Sequence, residues 1–222
     1  MFDIAFISYN ESNADANWER LKNRFPFARR IHGVKGIHNA HINAANNCFT
    51  TRFWVVDGDS EIAEDFNFQT PELDLEDIVC VYRAVNPLNG LAYGNGGVKL
   101  LPRIATAALD VNSIDMTTSI SKHFMAIDQV ASITRFNTDP FNTWKSAFRE
   151  CVKLSSKSID RQVNTETEQR LDTWCTIANG DYSEYSIDGA VLGRKYGTLN
   201  SGNTEAIKLI NDFDWLKNYF NR

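Results

Sequence analysis

Asp57 and Asp59, separated only by Gly58, stand at the end of the apolar run Phe53-Trp54-Val55-Val56. Two carboxylates held one residue apart can share a hard divalent cation and still leave coordination positions for phosphate oxygens and water. The residues before them set their position. Phe53 to Val56 are bulky and β-prone, which fits a strand buried on both faces, whereas Asp-Gly-Asp cannot continue such a strand and opens into a loop. In open α/β sheets, ligands bind where strands release their carboxyl ends.

Two earlier segments repeat this plan. Residues 2–8 alternate as a strand, the polar turn at residues 9–13 follows, and residues 14–24 have helical composition with Trp18 and Leu21 three apart. Pro26 ends that helix, residues 28–33 read as a second short strand, and residues 37–48 form an Ala- and Asn-rich helix leading into the Phe53 strand. The strand exits at residues 9–13, 33–36 and 57–60 are therefore expected side by side on one edge of a parallel sheet, where one nucleotide could touch all three. Ser8, Tyr9 and Glu11 belong to the first exit, and Lys35 and His38 to the second. His41 lies one helical turn after His38, a spacing that also suits a metal, but a solvated or capped histidine is the reading adopted.

Residues 78–84 read as a further strand and Asn86-Pro87-Leu88-Asn89-Gly90 as a turn. The glycines at 94, 96 and 97 allow either backbone approach to a ligand or a tight bend. No GxxxxGK[ST] occurs, and these glycines open a strand rather than follow one, so neither a P-loop nor a dinucleotide fingerprint is expected. Beyond Thr138-Asp139-Pro140, residues 144–157 form a helical pattern. Its Lys145, Arg149, Lys153 and Lys157 recur every four residues, with Glu150 and Asp160 as the nearby carboxylates. The stripe admits two readings: a solvated helix face, or a surface that tracks phosphates. Residues 164–180 read as a helix, residues 182–197 as a glycine-punctuated segment, and residues 212–220 as an amphipathic helix.

Length and composition bound these readings. The chain has 222 residues, 43% hydrophobic and 23% charged, enough for a proper core and ordinary for a globular protein. Cys48, Cys80, Cys151 and Cys175 show no paired CxxC spacing, so neither a zinc site nor a disulfide framework is expected. No leader peptide and no membrane span are anticipated, which points to a cytoplasmic protein without a membrane partner. A net charge of −5 argues against indiscriminate nucleic-acid binding but allows a local basic stripe. With no repeats or low-complexity linkers, residues 1–222 are expected to form a single domain.

Four stretches carry a resemblance: Phe6-Ile7-Ser8-Tyr9-Asn10-Glu11, His32-Gly33-Val34-Lys35-Gly36-Ile37-His38, Trp54-Val55-Val56-Asp57-Gly58-Asp59 and residues 141–150. Together they resemble the GT-A class of nucleotide-sugar glycosyltransferases, and within it the small enzymes of T-even-like phages that act on hydroxymethylated pyrimidines in DNA. The resemblance implies a Rossmann-type, mostly parallel sheet flanked by helices, with a helical C-terminal acceptor region. Residues 1–103 would be the donor half and residues 104–222 the acceptor half.

The implied donor is a nucleoside diphosphate sugar, most readily uridine-linked, with Mn²⁺ or Mg²⁺ as the metal. Ser8, Tyr9 and Glu11 would border the nucleobase and ribose. Lys35 and His38 would meet the base or diphosphate. Asp59 would bind the metal directly, with Asp57 on the ribose or on the metal through water. Many inverting members place a catalytic carboxylate in a Trp-x-x-Glu-Asp type motif. Here Trp144 is followed by Lys-Ser-Ala-Phe-Arg-Glu, so Asp139 or Glu150 would have to substitute, and the stereochemical outcome stays open.

Trp144, Lys145, Arg149 and Lys153 would contact the acceptor, for which a 5-hydroxymethylated pyrimidine in DNA is preferred. In a phage-encoded enzyme the setting would be the host cytoplasm. The alternatives are a saccharide or glycan acceptor, or a non-catalytic nucleotide-sugar binding module. A nucleotidyltransferase would require a Gly-rich, Arg-bearing loop directly after the first strand, and none is present.

Overall fold

A computed structural model describes residues 1–113, 115–157 and 163–222. The chain divides into two compact units, one comprising Met1–Pro87 with Ala92–Arg135 and the other Leu88–Leu91 with Phe136–Arg222. The sheet-bearing unit therefore extends past residue 103, the end of the span read as the donor half.

The first unit contains β1 (Asp3–Ser8), α1 (Ala14–Arg24), β2 (Arg29–His32), α2 (Ile37–Asn46), β3 (Arg52–Asp57), β4 (Ser60–Ile62), β5 (Val79–Val85), β6 (Ala92–Pro102), α3 (Arg103–Ala107), α4 (Met116–Ile120) and β7 (Phe124–Thr134). Its seven strands form one sheet in the order β2-β1-β3-β6-β5-β7-β4. β2, β1 and β3 pair in parallel, as do β5 and β7, whereas β6 is antiparallel to both its neighbours and β4 is antiparallel to β7. Strands β1, β2, β3, β5 and β7 thus share one direction. This is a Rossmann-like α/β sheet, as expected.

Strand alternation explains the core. Ile4, Phe6, Trp54, Val56, Cys80, Tyr82, Val98 and Leu100 face one way, toward Leu21 of α1 and the aromatic pair Phe66 and Phe68. Ala5, Ile7, Phe53, Val55, Val79, Val81 and Leu101 face the other way, toward Ala44 and Ala45 of α2. β3 is buried on both faces, so its apolar run has no polar face to present. β4 and β7 were not anticipated. β4 is only three residues long, and the outer half of β7 is largely exposed, so neither shows a clear apolar pattern.

The second unit contains α5 (Pro140–Ser156), α6 (Asn164–Thr176), α7 (Ser183–Leu199), α8 (Thr204–Lys208), a 3-10 turn (Leu209–Asn211) and α9 (Phe213–Phe220). The glycine-punctuated segment, to which the sequence assigned no element, is the helix α7. Gly189, Gly193 and Gly197 lie four apart and face Trp144, Phe148 and Val152 of α5, also four apart. A Cβ at Gly193 would stand 2.9 Å from the Cα of Phe148, and one at Gly197 would stand 2.6 Å from the carbonyl oxygen of Val152. These glycines allow the two helix backbones to touch, a gain that outweighs their weak helix propensity. Rings of Trp144, Phe148, Tyr196, Trp215, Tyr219 and Phe220 stack and tilt against one another around this seam. None of the described helices is long and apolar enough to cross a membrane.

Candidate donor site at the strand exits

The parallel register places the ends of three strands side by side: Ser8 pairs with His32, and Ile7 with Asp57. Ser8 is buried at the end of β1. Its hydroxyl oxygen lies 3.0 Å from both the Nε of Arg30, which donates to it, and the Nδ1 of His32. The Tyr9 amide donates to the Glu11 carboxylate at 2.7 Å, closing the first exit into a tight loop.

Gly58 joins the first exit to the third. A Cβ there would meet the Glu11 carboxylate at 2.8 Å and the Ser8 Cβ at 3.0 Å, so a side chain at the middle of Asp-Gly-Asp would displace the Glu11 carboxylate from the Tyr9 amide. The buried Asn17 side chain fixes the same residue by donating to the Gly58 carbonyl at 3.0 Å. The Asp59 carbonyl accepts from the Arg135 amide at 2.7 Å, while the Asp59 residue stays half-buried. Seen alone, Asp-Gly-Asp offers carboxylates; in the fold its glycine is equally specific.

Sequence reasoning missed Lys99. It lies on β6 opposite Val55, and its ammonium contacts both Asp57 carboxylate oxygens at 2.9 and 3.0 Å while also donating to the Gly96 carbonyl. The Lys99 side chain is only 3% exposed and that of Asp57 28% exposed, so the pair is largely shielded from water. The only sequence signal was a lysine in an otherwise apolar strand.

This pairing bears directly on the expected metal. Both oxygens of Asp57 already face a buried cation, and among the described residues no group of three His, Cys, Asp or Glu side chains is arranged to hold a metal ion. The residues do not fit a divalent cation coordinated by Asp57.

At the second exit Lys35 is exposed, and its carbonyl accepts from the Asn39 side chain at 3.4 Å. His38 is buried and its Nε2 lies 3.0 Å from the Ser113 hydroxyl, so this side chain is drawn into the unit's packing. His41 is fully buried, with Nδ1 2.8 Å from the Ile37 carbonyl. Burial first, then the Lys99 charge, hold its pKa well below the ordinary histidine value, so His41 is neutral and its Nδ1–H caps Ile37. The reading of His41 as a capped histidine agrees with this placement.

The proposed acceptor and base residues all belong to the second unit, and several have structural work there. Trp144 is 1% exposed; its Nε1 donates to Asp188 at 3.0 Å and its ring stacks on Phe148. That corrects its assignment as an acceptor contact, because a buried indole has no face to offer a base. Arg149 donates to the Ile210 carbonyl at 2.8 Å and the Asn211 side chain at 3.1 Å, tying α5 to the turn before α9. Lys145 donates to Asn142 at 2.6 Å and sits 4.7 Å over the Phe213 ring. Lys153 is half-buried on the same helix, and Asp160 lies outside the described residues.

Asp139 is the N-cap of α5, with its carboxylate accepting from the Asn142 amide at 2.8 Å and the Asn142 side chain at 2.5 Å. Burial opposes ionisation, but these hydrogen bonds outweigh it and lower the Asp139 pKa. These bonds give the Asp139 carboxylate a structural role as the cap of α5. Glu150 is half-buried on α5 and remains the other carboxylate of the pair.

Compared with known proteins, the chain matches no protein-family model and no curated protein sequence. Among solved structures it is similar to HddC from Yersinia pseudotuberculosis, with 13% identity and a TM-score of 0.37 over 59% of this chain and 92% of that one. A likeness so remote carries no inference about activity.

Proposed function

We propose that the edge formed by the exits of β1, β2 and β3 binds a nucleoside diphosphate sugar, most readily uridine-linked, and that the protein transfers the sugar to a hydroxyl. The observation that carries this reading is the in-register convergence of those exits, with Gly58 closed against Ser8 and Glu11. Ligands of open α/β sheets bind at this edge. Glu11 supplies an acceptor for ribose hydroxyls, Asp59 a carboxylate for the metal, and Tyr9 a surface for the base. Lys35, exposed at the neighbouring exit, supplies a compact cation for the diphosphate.

In the transfer, the acceptor oxygen forms a bond to the anomeric carbon as the bond from that carbon to the diphosphate breaks. The nucleoside diphosphate leaves with the bonding electrons. The hydroxyl proton passes to a diphosphate oxygen of the leaving group or to a carboxylate base. A divalent metal, when bound, would offset charge on the leaving diphosphate. The chain's own contribution at Asp57 is the Lys99 ammonium, which cancels one of the two strand-end negative charges before any donor arrives.

For the acceptor, a 5-hydroxymethylated pyrimidine in DNA is the reading supplied by the resemblance to phage enzymes, with Lys145 and Lys153 as the phosphate-facing cations. A saccharide or glycan acceptor is favoured by a specific observation: Trp144 and Arg149, half of the proposed acceptor set, are engaged inside their own unit.

Incubating the intact protein with a panel of nucleotide sugars, with hydroxymethylated DNA, unmodified DNA or oligosaccharides, and with or without Mn²⁺, then reading product mass, tests this. Sugar added only to hydroxymethylated DNA supports the first acceptor, and sugar added to an oligosaccharide supports the second. Donor binding without turnover on any acceptor would indicate a binding module. Failure to bind every nucleotide sugar refutes the proposal.

A further inference from the structure

The second unit carries a small pocket where three of its helices meet. Its volume is about 380 Å³, and its lining comes from α5 (Trp144), α7 (Asp188 and Leu192) and the end of α9 with the residues after it (Tyr219, Phe220 and Arg222). Close backbone approach sets the pocket up: Gly189 has no side chain, and a Cβ there would stand 3.1 Å from the Trp144 Cα. With α7 this near, the neighbouring Asp188 reaches the Trp144 indole, whose Nε1 donates to Oδ2 at 3.0 Å. Trp144 is thus a closed floor, and the exposed Asp188 carboxylate is held in one orientation against it.

The lining combines apolar walls with two opposite charges. Leu192, Tyr219 and Phe220 are half-buried and supply the walls. The Tyr219 ring is inclined 29° to the Trp144 plane and the Phe220 ring 56°, so the two rings cannot be parallel and make a cupped wall rather than a flat slot. Among the described residues the Asp188 carboxylate bonds only to Trp144, which leaves Oδ1 to accept further hydrogen bonds. The Arg222 guanidinium lies 5.5 Å over the Tyr219 ring and, among the described residues, has no carboxylate in ion-pair contact. Its N–H groups are left to donate beside the same wall.

These charges narrow the occupant. An anion such as phosphate would face the Asp188 carboxylate, and a cation would face Arg222. A wholly apolar molecule would cover both charged groups without giving either a partner. A planar base is best held in a slot between parallel rings, which the cupped wall does not provide. An uncharged ring with hydroxyls on its edge and C–H groups on its face meets every part of the lining, and that describes a sugar. Its hydroxyls donate to the carboxylate and accept from the guanidinium, bonds strengthened by the charge on the protein side. The volume falls at the small end of the about 300–1,000 Å³ usual for ligand pockets, which suits a monosaccharide or disaccharide.

We propose that this pocket is a saccharide-binding site, in which Asp188 and Arg222 engage hydroxyls while Tyr219 and Phe220 cover the C–H face. Its use as the anchor of a glycan acceptor rests on the sugar-transfer reading, whereas the binding itself needs no residue of the donor edge.

The test titrates the whole folded chain with glucose, galactose, N-acetylglucosamine, maltose, lactose and N,N′-diacetylchitobiose, followed by calorimetry and saturation-transfer NMR. The wild type binds at least one of these sugars, with saturation strongest on the ring C–H protons. Asp188→Asn keeps an acceptor for the Trp144 indole but puts an amide donor in place of Oδ1, and Arg222→Gln removes the guanidinium from an exposed position. Each variant binds about tenfold more weakly or worse, as expected when a hydrogen bond to a charged group is lost, and each keeps the wild-type circular dichroism.

No binding of any of these sugars by the wild type, or binding unchanged in both variants, overturns the assignment. Binding of cytidine or uridine in place of the sugars overturns it as well. A separate titration with nucleotide sugars keeps the two proposals apart. Saccharide binding without nucleotide-sugar binding upholds the pocket and refutes the transfer reading; nucleotide-sugar binding without saccharide binding refutes the pocket and leaves the donor edge standing.

Discussion

Replacing Gly193 by alanine sets two effects of opposite sign against each other. In a helix interior alanine is favoured over glycine by about 1 kcal/mol, so a position free of neighbours would be stabilised. At Gly193 the new Cβ would stand 2.9 Å from the Phe148 Cα and 3.0 Å from its carbonyl carbon, with the Phe148 carbonyl oxygen closer still. Those atoms are helix backbone and cannot rotate away, so α5 and α7 must separate by several tenths of an ångström. Overpacking of this kind costs about 1–3 kcal/mol, and a gap of ~0.5–1 Å elsewhere along the seam forfeits a quarter to a half of each dispersion contact it opens. The neighbouring contacts at Gly189 and Gly197 lie on the same seam and open together.

The net expectation is a loss of about 1–2 kcal/mol, the overpacking and dispersion losses less the propensity gain. In a chain of this size that lowers the melting midpoint by roughly 2–8 °C if the chain unfolds cooperatively. Urea unfolding followed by far-UV circular dichroism provides the free-energy difference. The double variant Gly189→Ala/Gly193→Ala should lose less than the sum of the singles, because one separation of the helices relieves both clashes. A Gly193→Ala protein as stable as the wild type, or more stable, refutes the close-packed seam.

Three other perturbations test particular contacts. Lys99→Met leaves Asp57 without its buried cation and should cost about 2–4 kcal/mol, below the 3–5 kcal/mol typical of a fully buried pair because Asp57 is 28% exposed. The same variant should bind Mn²⁺ more tightly in a calorimetric titration than the wild type does, whereas wild-type Mn²⁺ binding that disappears in Asp57→Asn would show that the ammonium does not displace the metal. Asp139→Asn keeps a competent N-cap, so stability should stay within about 0.5 kcal/mol and any transfer rate should be unchanged; a large loss of kcat with intact stability would restore Asp139 to catalysis. Asp3 accepts from the Phe49 and Thr50 amides and from Arg29; burial raises its pKa, but these bonds outweigh it and the net shift is downward. Its stabilisation is present above the unfolded value near 3.8 and is lost as pH falls through the lower folded value, so Asp3→Asn should be less stable at neutral pH and show a shallower acid limb in a pH series of denaturation midpoints.

The first three strands were legible because their signals are local and agree with one another. Apolar runs end in polar turns, each followed by a helical pattern, and the observed helix at Ala14–Arg24 and the strand at Arg52–Asp57 fall where those patterns put them. α7 was not legible, since three glycines in a row of fourth positions look like broken chain until a second helix backbone is placed against them. Trp144 illustrates the same limit: its place beside a basic stripe suggested an exposed platform, but its indole is enclosed by the aromatic residues of α9 and neighbouring helices.

By itself, the chain's order of residue types determined the α/β class and the three exits that lie together, because strand alternation and turn chemistry are properties of neighbouring residues. It also determined that Asp57 and Asp59 would stand at one of those exits. Tertiary structure alone decided what the carboxylates meet there. Lys99 comes from an antiparallel strand more than forty residues away, and its ammonium reaches Asp57 only because β6 pairs with β3 in one particular register. Charges so distant in sequence influence each other strongly only when folding brings them within a few ångströms and removes the water between them.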